Sequence, residues 1–311
     1  MELWFLGTGA GRPMKERNVT SIAMKLPEPD CGLWMFDAGE ATQHQLMRTP
    51  LKMSKLSVLF VTHMHGDHTF GIPGLLSTRS YVGGNGPLKV IGPSGIREMI
   101  ETAMRLSGTH IDYEISYVEI AEDGVVYEDE RFTVEAGKLE HRVPCYGYRV
   151  MEKEQPGKLD VGLLQRLGVA AGPLYGKLKR GEDITLPDGS MLRGSDVTGQ
   201  PLPGRIVTVL GDTRPCEGTV RLARDADLLV HEATFGAGQE EKAHLYGHST
   251  TMEAAAAARE AGARRLVMTH FSSRFTADDL PQLEQEAQSV FPESTAAFDL
   301  YHTTVSRRQT Q

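Results

Sequence analysis

The chain has 311 residues, 40% of them hydrophobic, and a formal net charge of −8. This composition is ordinary for a globular protein and shows no overall excess of basic residues, so a nucleic-acid-binding surface would have to be local. No apolar run approaches the ~20 residues of a membrane helix, the start lacks a basic leader, and three cysteines, Cys31, Cys145 and Cys216, are too few for a disulfide framework. We therefore expect a soluble, cytoplasmic protein with no membrane partner.

The first half of the chain alternates short apolar strands with helices. The pattern predicts strands at 3–6, 20–26, 33–36, 56–61 and 90–93, and helices at 41–48, from 71 onward and at 96–106. A glycine-rich turn at 7–11 resembles a phosphate-binding loop. It lacks the Gly-x-Gly-x-x-Gly spacing and a following helix, so a tight turn is the better interpretation.

Residues 61–68 read Val-Thr-His-Met-His-Gly-Asp-His and contain four metal-binding side chains, His63, His65, Asp67 and His68. In an extended chain His63 and His65 point to the same side, because strand side chains alternate, and they can hold one metal ion. Gly66 is expected to relax the backbone, so that Asp67 and His68 turn towards a second ion. Imidazole and carboxylate ligands suit zinc, with iron and manganese as possible substitutes.

The alternation of strands and helices continues to the end of the chain, with one interruption. Strands are predicted at 116–120, 124–127, 131–136, 146–150, 205–210, 227–230 and 265–268, helices at 220–226 and 251–261, and a helix end with a last strand within 288–298. This order indicates a layered α/β architecture.

Three further residues that can bind metal ions follow predicted strands: His141, Asp212 and His270. Since strand ends on one edge of a sheet converge in space, we expect these residues to join the 63–68 cluster. Seven ligands are too many for one tetrahedral zinc ion, which predicts two metal ions, with Asp212 as the best candidate for a bridge. Such a pair would activate water for attack on a phosphate ester.

The interruption spans residues 151–203 and is rich in Gly, Lys and Pro. We interpret it as an inserted, flexible arm of a single domain that spans 1–311, because it offers too little apolar sequence for a core of its own. A cationic run with Lys177, Lys179 and Arg180 lies beside Tyr175. This run could bind a phosphate backbone, or it could be a solvated surface loop.

The pattern His63-x-His65-x-Asp67-His68 with His141, Asp212 and His270 resembles the metallo-β-lactamase superfamily. Further stretches resemble one of its families, the ribonuclease Z endonucleases in their short form. They are Leu6-Gly7-Thr8-Gly9, Arg17-Asn18, Phe36 to Glu40, the arm motif 172–181, His231-Glu232-Ala233-Thr234 and His248-Ser249-Thr250-Thr251. The likeness covers nearly the whole chain.

The resemblance implies an αββα four-layer sandwich, two zinc ions per subunit and a homodimer that removes the 3′ trailer from precursor tRNA. It implies that His63, His65 and His141 hold one zinc ion, that Asp67, His68 and His270 hold the other, and that Asp212 bridges them. Asp67 would also accept the proton of the attacking water, and His248, supported by Glu232, would protonate the leaving 3′ oxygen. The arm would be an exosite that binds tRNA from the opposite subunit. Apart from the resemblance, we expect Arg17, in a basic loop with Arg12 and Lys15, to contact phosphates of the tRNA acceptor stem near the site.

Other functions remain open from the sequence. One is a different hydrolase on the same fold, such as a phosphodiesterase or arylsulfatase, against which the arm and the His-Glu-Ala-Thr stretch count. Another is RNA binding without catalysis. This function would not require a complete set of metal ligands together with His248. A redox di-iron protein would need a carboxylate where His65 stands.

Overall fold

The computed structural model describes residues 1–28, 32–186 and 188–308; Cys31 lies outside these ranges. By their contacts the residues divide into two compact units. The larger contains 1–128, 134–150 and 206–306, and the smaller contains 129–133, 151–205 and the C-terminal residues from 307. No helix in the described ranges combines the length and the apolar character needed to cross a bilayer.

The first sheet has seven strands in the order β16-β1-β2-β3-β4-β5-β6. Its strands are β1 (Glu2–Gly7), β2 (Ser21–Lys25), β3 (Leu33–Phe36), β4 (Leu56–Phe60), β5 (Leu88–Pro93), β6 (Ile115–Ile120) and β16 (His302–Thr304). Strand β4 is parallel to both neighbours, with Phe36 opposite Phe60 and Phe60 opposite Ile91. Because β4 is hydrogen-bonded to a strand on each side, its carboxyl end has a fixed position, and so does the start of the chain segment that follows it.

The second sheet also has seven strands, in the order β15-β14-β13-β12-β9-β8-β7. They are β7 (Gly124–Glu128), β8 (Phe132–Leu139), β9 (Cys145–Glu152), β12 (Ile206–Val209), β13 (Leu228–Glu232), β14 (Leu266–Thr269) and β15 (Ser294–Ala296). Strands β12 to β15 are parallel, so their carboxyl ends share one edge.

Alternating side chains hold the two sheets together. In β3 and β4, Leu33, Met35 and Leu59 face a helix layer, while Phe36 and Phe60 face the other way and contact Tyr148 of β9. The Tyr148 hydroxyl donates to the carbonyl of Val61, so the aromatic layer also supports the segment that leaves β4. The period of two in these strands thus produces one layer on each side of the first sheet.

Helices cover the outer faces. Those packed with the first sheet are α1 (Thr42–Met47), α3 (Ile72–Tyr81) and α4 (Ile96–Ser107); those packed with the second are α8 (Glu217–Ala223), α10 (Thr251–Glu260) and α11 (Leu280–Gln288). Helix α10 begins with a capping box in which Thr250 and Glu253 satisfy each other's backbone N–H groups. The expected αββα sandwich is confirmed. The pattern missed β16 and a short helix, α9 (Glu240–Tyr246).

The smaller unit contains the predicted arm. Its elements are α5 (Val161–Arg166), α6 (Pro173–Lys179), β10 (Ile184–Thr185), β11 (Met191–Leu192) and α7 (Gly194–Val197). Six buried side chains pack together there: Leu164, Val169, Leu178, Ile184, Leu192 and Val197. The expectation that this stretch lacks apolar sequence for a core of its own is therefore wrong, because a few well-spaced side chains suffice to fill the space between such short elements.

A buried carboxylate joins the ends of this unit. Glu152 accepts from Arg205 through both oxygens, at 2.7 and 2.9 Å, and from Arg307 at 2.6 Å. The outgoing chain, the returning chain and the C-terminal segment thus meet at one charge. Although burial favours the neutral acid, these arginines keep the pKa of Glu152 below its usual value.

The small core predicts how the unit responds to truncation of one side chain. We expect Leu178→Ala to destabilise the unit locally by about 2 to 5 kcal/mol, because Leu178 is fully buried. Leu174→Ala, on the same helix but 40% exposed, should change little. Hydrogen exchange of residues 160–198 measures both; equal protection in the two variants would contradict a packed core.

Candidate metal centre

The 63–68 cluster begins directly beyond the carboxyl end of β4. The chain stays extended through His65 and then forms one short helical turn, α2 (Gly66–Thr69). Gly66 is not in the left-handed region; a Cβ there would lie 2.3 Å from the ring of Phe70. The glycine therefore makes room for Phe70, and the expectation that it relaxes the backbone is wrong.

A first group of donor atoms comes from three separate parts of the chain. The Nε2 atom of His63 lies 3.0 Å from Nδ1 of His65, and Nε2 of His141 lies 3.3 Å from that same Nδ1. Asp212 places Oδ2 3.6 Å from His63 Nε2 and 4.0 Å from His141 Nε2. The four donor atoms thus surround one point.

A second group lies beside the first. The Nε2 atoms of His68 and His270 are 3.3 Å apart, and Asp67 Oδ2 is 3.4 Å from His270 Nε2 and 3.7 Å from His68 Nε2. Asp212 reaches this group as well, with Oδ1 3.5 Å from His68 Nε2. All seven predicted ligands therefore come together, and Asp212 contacts both groups.

These distances test whether the residues suit metal ions. Zinc binds such ligands at about 2.0 to 2.2 Å, so tetrahedral donors lie about 3.4 Å apart. The donor atoms here are separated by 3.0 to 4.0 Å and point at one another, as ligands of a shared ion do. The donor set fits metal ions at both places.

Hydrogen bonds to the nitrogens outside the donor groups fix the orientation of the imidazoles. Asp37 Oδ2 lies 2.7 Å from His68 Nδ1, and Asp37 also accepts from the Thr62 backbone and hydroxyl. The other partners are Thr62 Oγ1 for His63 Nδ1, the Gly247 carbonyl for His141 Nδ1 and Thr234 Oγ1 for His270 Nδ1. Since the outer nitrogen of these four rings is occupied, their inner nitrogen is left for a metal ion.

Backbone strain is concentrated at this place. Asp37 and His270 both adopt left-handed backbone conformations, with φ of 58° and 59°. Each such conformation costs about 1 to 3 kcal/mol for a residue other than glycine. The surrounding sheets hold both residues in these conformations, which aim one side chain at His68 and the other at the donor groups.

The protonation of the rings follows from their surroundings. Burial lowers the pKa of His63 and of His65, which favours the neutral rings that metal binding requires. Burial would also lower the pKa of His68, but the carboxylates of Asp212 and Asp37 outweigh it and raise that pKa. A cation would have to compete with that proton.

Asp67 has a partner outside the ligand set. Its Oδ2 accepts from the backbone N–H of Gly11, at 2.7 Å, which uses the glycine-rich turn after β1. Burial favours the neutral acid, but the hydrogen bond with His270 and the charge of His68 hold the pKa of Asp67 below its usual range. The turn therefore orients a carboxylate rather than a phosphate.

His248 and Glu232 form a pair beside the donor groups. His248 Nδ1 lies 2.9 Å from Glu232 Oε1, which also accepts from the backbone N–H groups of Thr213 and Ser249, while Oε2 accepts from the backbone N–H and the hydroxyl of Thr234. Burial would lower the pKa of His248, but the carboxylate of Glu232 outweighs it and raises that pKa to about 9. His248 thus carries a proton at neutral pH and has its other ring nitrogen free of Glu232.

The predicted substrate contacts differ in exposure. Lys177, Lys179 and Arg180 are exposed in the smaller unit. Arg17 is only 4% exposed, and its guanidinium donates to the carbonyls of Phe275 and Thr276. A buried guanidinium with these partners supports the loop around it, which argues against direct contact with substrate.

Sequence reasoning assigned no role to Asp37, Thr234 or Gly11, although each orients a ligand. Asp37 directly follows β3, and its position as an acidic residue at the end of a predicted strand could have marked it as a site residue. The position of a backbone N–H such as that of Gly11 has no sequence signal.

Comparison with known proteins first defines the class. A metallo-β-lactamase-fold protein from Bacillus subtilis superimposes with a TM-score of 0.67 at 20% identity, covering 97% of this chain and 98% of its own. The family model for the anti-Pycsar protein Apyc1 matches residues 1–141, which is less than half of the chain and ends before Asp212. The two seven-stranded sheets therefore have the metallo-β-lactamase fold.

Closer relatives identify the family. Ribonuclease Z of Bacillus licheniformis is 52% identical over 307 residues, covering 99% of this chain and all of that protein. The crystal structure of human tRNase Z, short form, has a TM-score of 0.72 at 30% identity, covering 98% of this chain and all of the human one. The chain belongs to the ribonuclease Z family, and the resemblance stated from its motifs is confirmed.

Proposed function

We propose that this protein is a zinc-dependent endoribonuclease that removes the 3′ trailer from precursor tRNA. It leaves a 3′-hydroxyl on the tRNA and a 5′-phosphate on the trailer. The observation that carries the proposal is the convergence of seven donor side chains from four stretches of chain beside His248, whose ring is held by Glu232. The full-length likeness to ribonuclease Z supports the choice of substrate.

The proposed ligand sets follow the two donor groups. His63, His65 and His141 would hold one zinc ion, Asp67, His68 and His270 would hold the other, and Asp212 would contribute to both. Zinc bound there supplies water with a pKa near neutrality and offsets the charge of the phosphate. Manganese or iron could occupy the same nitrogen and oxygen ligands.

Asp67 is the proposed proton acceptor. Its carboxylate is ionised at neutral pH, and the N–H of Gly11 fixes its orientation. As the water oxygen bonds to phosphorus and the bond from phosphorus to O3′ breaks, one proton passes to Asp67.

His248 is the proposed proton donor to the leaving O3′. Its Nδ1 is held by Glu232, so that Nε2 delivers the proton, and the five hydrogen bonds received by Glu232 keep the pair in place. Without that proton the leaving group would be an alkoxide, which is a poor one.

The direct test is cleavage of a precursor tRNA by the purified protein with and without chelator. We expect one cut immediately after the last unpaired nucleotide of the tRNA, loss of cleavage with chelator, and recovery with zinc. A phosphodiesterase or arylsulfatase would cleave small esters and leave the precursor intact. An RNA-binding protein without activity would bind the precursor and never cut it.

The proton-donor role predicts a substrate-dependent defect. His248→Ala should reduce kcat on precursor tRNA by about 10²- to 10⁴-fold, since general acid catalysis contributes that much. Cleavage of bis(p-nitrophenyl) phosphate should change much less, because nitrophenolate leaves without a proton. Equal losses on both substrates would instead place His248 in metal binding. His244→Ala, an exposed histidine of α9, is the matched control.

The arm, the assembly and the location in the cell belong to the same proposal. We propose that residues 151–203 form a tRNA-binding exosite, and that Lys177, Lys179 and Arg180 supply its cations. The arm as a whole has seven basic and seven acidic residues, so only this run is cationic. Family resemblance supports a homodimer in which the arm serves the partner subunit, and the sparse cysteines favour the reducing cytoplasm.

A further inference from the structure

Two aromatic rings and two arginines form a row at the border of the metal centre; we call Arg142, Tyr246, Phe235 and Arg274 the aromatic strip. The rings of Phe235 and Tyr246 are nearly parallel, at 13°, with centroids 6.5 Å apart. The guanidinium carbon of Arg142 lies 5.4 Å from the Tyr246 centroid, and that of Arg274 lies 5.9 Å from the Phe235 centroid. None of these side chains has a part in the chemistry described above.

The strip lies on the His248 side of the centre. The ring of Phe235 is 6.2 Å from the ring of His248, which is itself 5.1 Å from His141. Arg142 follows His141 directly, and the carbonyl of Gly247, between Tyr246 and His248, accepts from His141 Nδ1. The strip is thus tied through its backbone to a ligand and to the proposed proton donor.

The strip is accessible and its charges are not neutralised. Tyr246 is 42% exposed and both arginines are exposed, whereas Phe235 is 4% exposed and supports the row from below. Within the ranges that the structure describes, neither Arg142 nor Arg274 pairs with a carboxylate. A partly exposed tyrosine ring beside guanidinium groups without carboxylate partners is a surface on which unpaired nucleotides can stack.

We propose that the aromatic strip binds the base of the nucleotide immediately 5′ of the cut, the last nucleotide of the tRNA product, while Arg142 and Arg274 bind its neighbouring phosphates. The inference rests on the proposed function, because His248 is taken to protonate the O3′ of that same nucleotide. The ribose that bears this oxygen must therefore lie against His248, and the strip, whose Phe235 ring is 6.2 Å from the ring of His248, is within reach of its base. The trailer stays bonded to the phosphorus through its 5′ oxygen.

Binding can be tested without cleavage by using the product. A tRNA that ends in 2-aminopurine at this position loses fluorescence when the base stacks on an aromatic ring. With the zinc-loaded protein we expect quenching for the wild type, for Tyr246→Phe and for Leu245→Ala, a neighbouring residue that is 72% exposed. Tyr246→Ala should abolish the quenching. Quenching that persists in Tyr246→Ala would overturn the proposal.

Kinetics on precursor tRNA give a second, independent readout. Stacking of a base is worth about 1 to 3 kcal/mol, so Tyr246→Ala should raise KM by about 5- to 150-fold. A precursor that is abasic at the last tRNA nucleotide should show the same defect with wild type and no further defect with Tyr246→Ala. An undiminished effect of Tyr246→Ala on the abasic precursor would overturn the proposal. If wild type cuts no precursor at all, the proposed function fails instead, so the two failures are distinguishable.

Discussion

Replacing Asp212 with alanine is expected to abolish cleavage of precursor tRNA and to reduce metal content at both sites. Asp212 is 3% exposed, with Oδ2 3.6 Å from His63 Nε2 and 3.3 Å from His270 Nε2. Without the Asp212 carboxylate, no anion lies between the histidines of the first donor group and those of the second. The loss of about 4 kcal/mol or more of transition-state stabilisation corresponds to about 10³-fold or more in rate.

Elemental analysis of protein purified without added metal, together with cleavage rates, measures this result. Asp278→Ala is the matched control, because Asp278 is an exposed aspartate away from the donor groups. Circular dichroism should show both variants folded. An Asp212→Ala protein that kept two metal ions and full activity would refute the bridging role.

Removal of the arm is expected to separate tRNA binding from chemistry. The deletion should remove residues 158–198 and join Gly157 to Gly199. The structure supports this junction, because Gly199 N–H donates to the Lys158 carbonyl and a Cβ on Gly157 would lie 2.0 Å from the Gly199 carbonyl oxygen. Gly157 and Gly199 are thus already in contact, and a peptide bond can join them with little change in the backbone on either side.

We expect the shortened protein to cleave bis(p-nitrophenyl) phosphate normally while its affinity for precursor tRNA falls by about 10²-fold or more, since phosphate contacts supply most of such binding. The triple substitution of Lys177, Lys179 and Arg180 by alanine keeps the buried Leu178 and tests the charges alone. It should lower the slope of log affinity against log salt by about 2 to 3. Loss of both activities after deletion would argue against a separable exosite.

Much of the architecture was predictable because short strands and amphipathic helices have distinct periods. The short strand at β3, the apolar run of β4 before His63 and the helix that begins at Thr251 are local features, and each appeared in the structure where the pattern indicated. Strand β16 was missed because three residues are too few to show a period. The arm was misjudged because its core consists of single side chains from separate short elements.

The sequence by itself determined which side chains could bind metal and that they follow strands, since residue type and local period are written in the chain. The tertiary structure alone decided that His63, His141, Asp212 and His270 meet within coordination distance. The reason is that β4 belongs to the first sheet and β8, β12 and β14 to the second, and the packing of the sheets brings the ends of these strands together. It also decided that Arg17 is buried, that Gly11 and Asp37 orient ligands, and that the aromatic strip borders His248. Such contacts depend on distances between remote segments, which no local pattern contains.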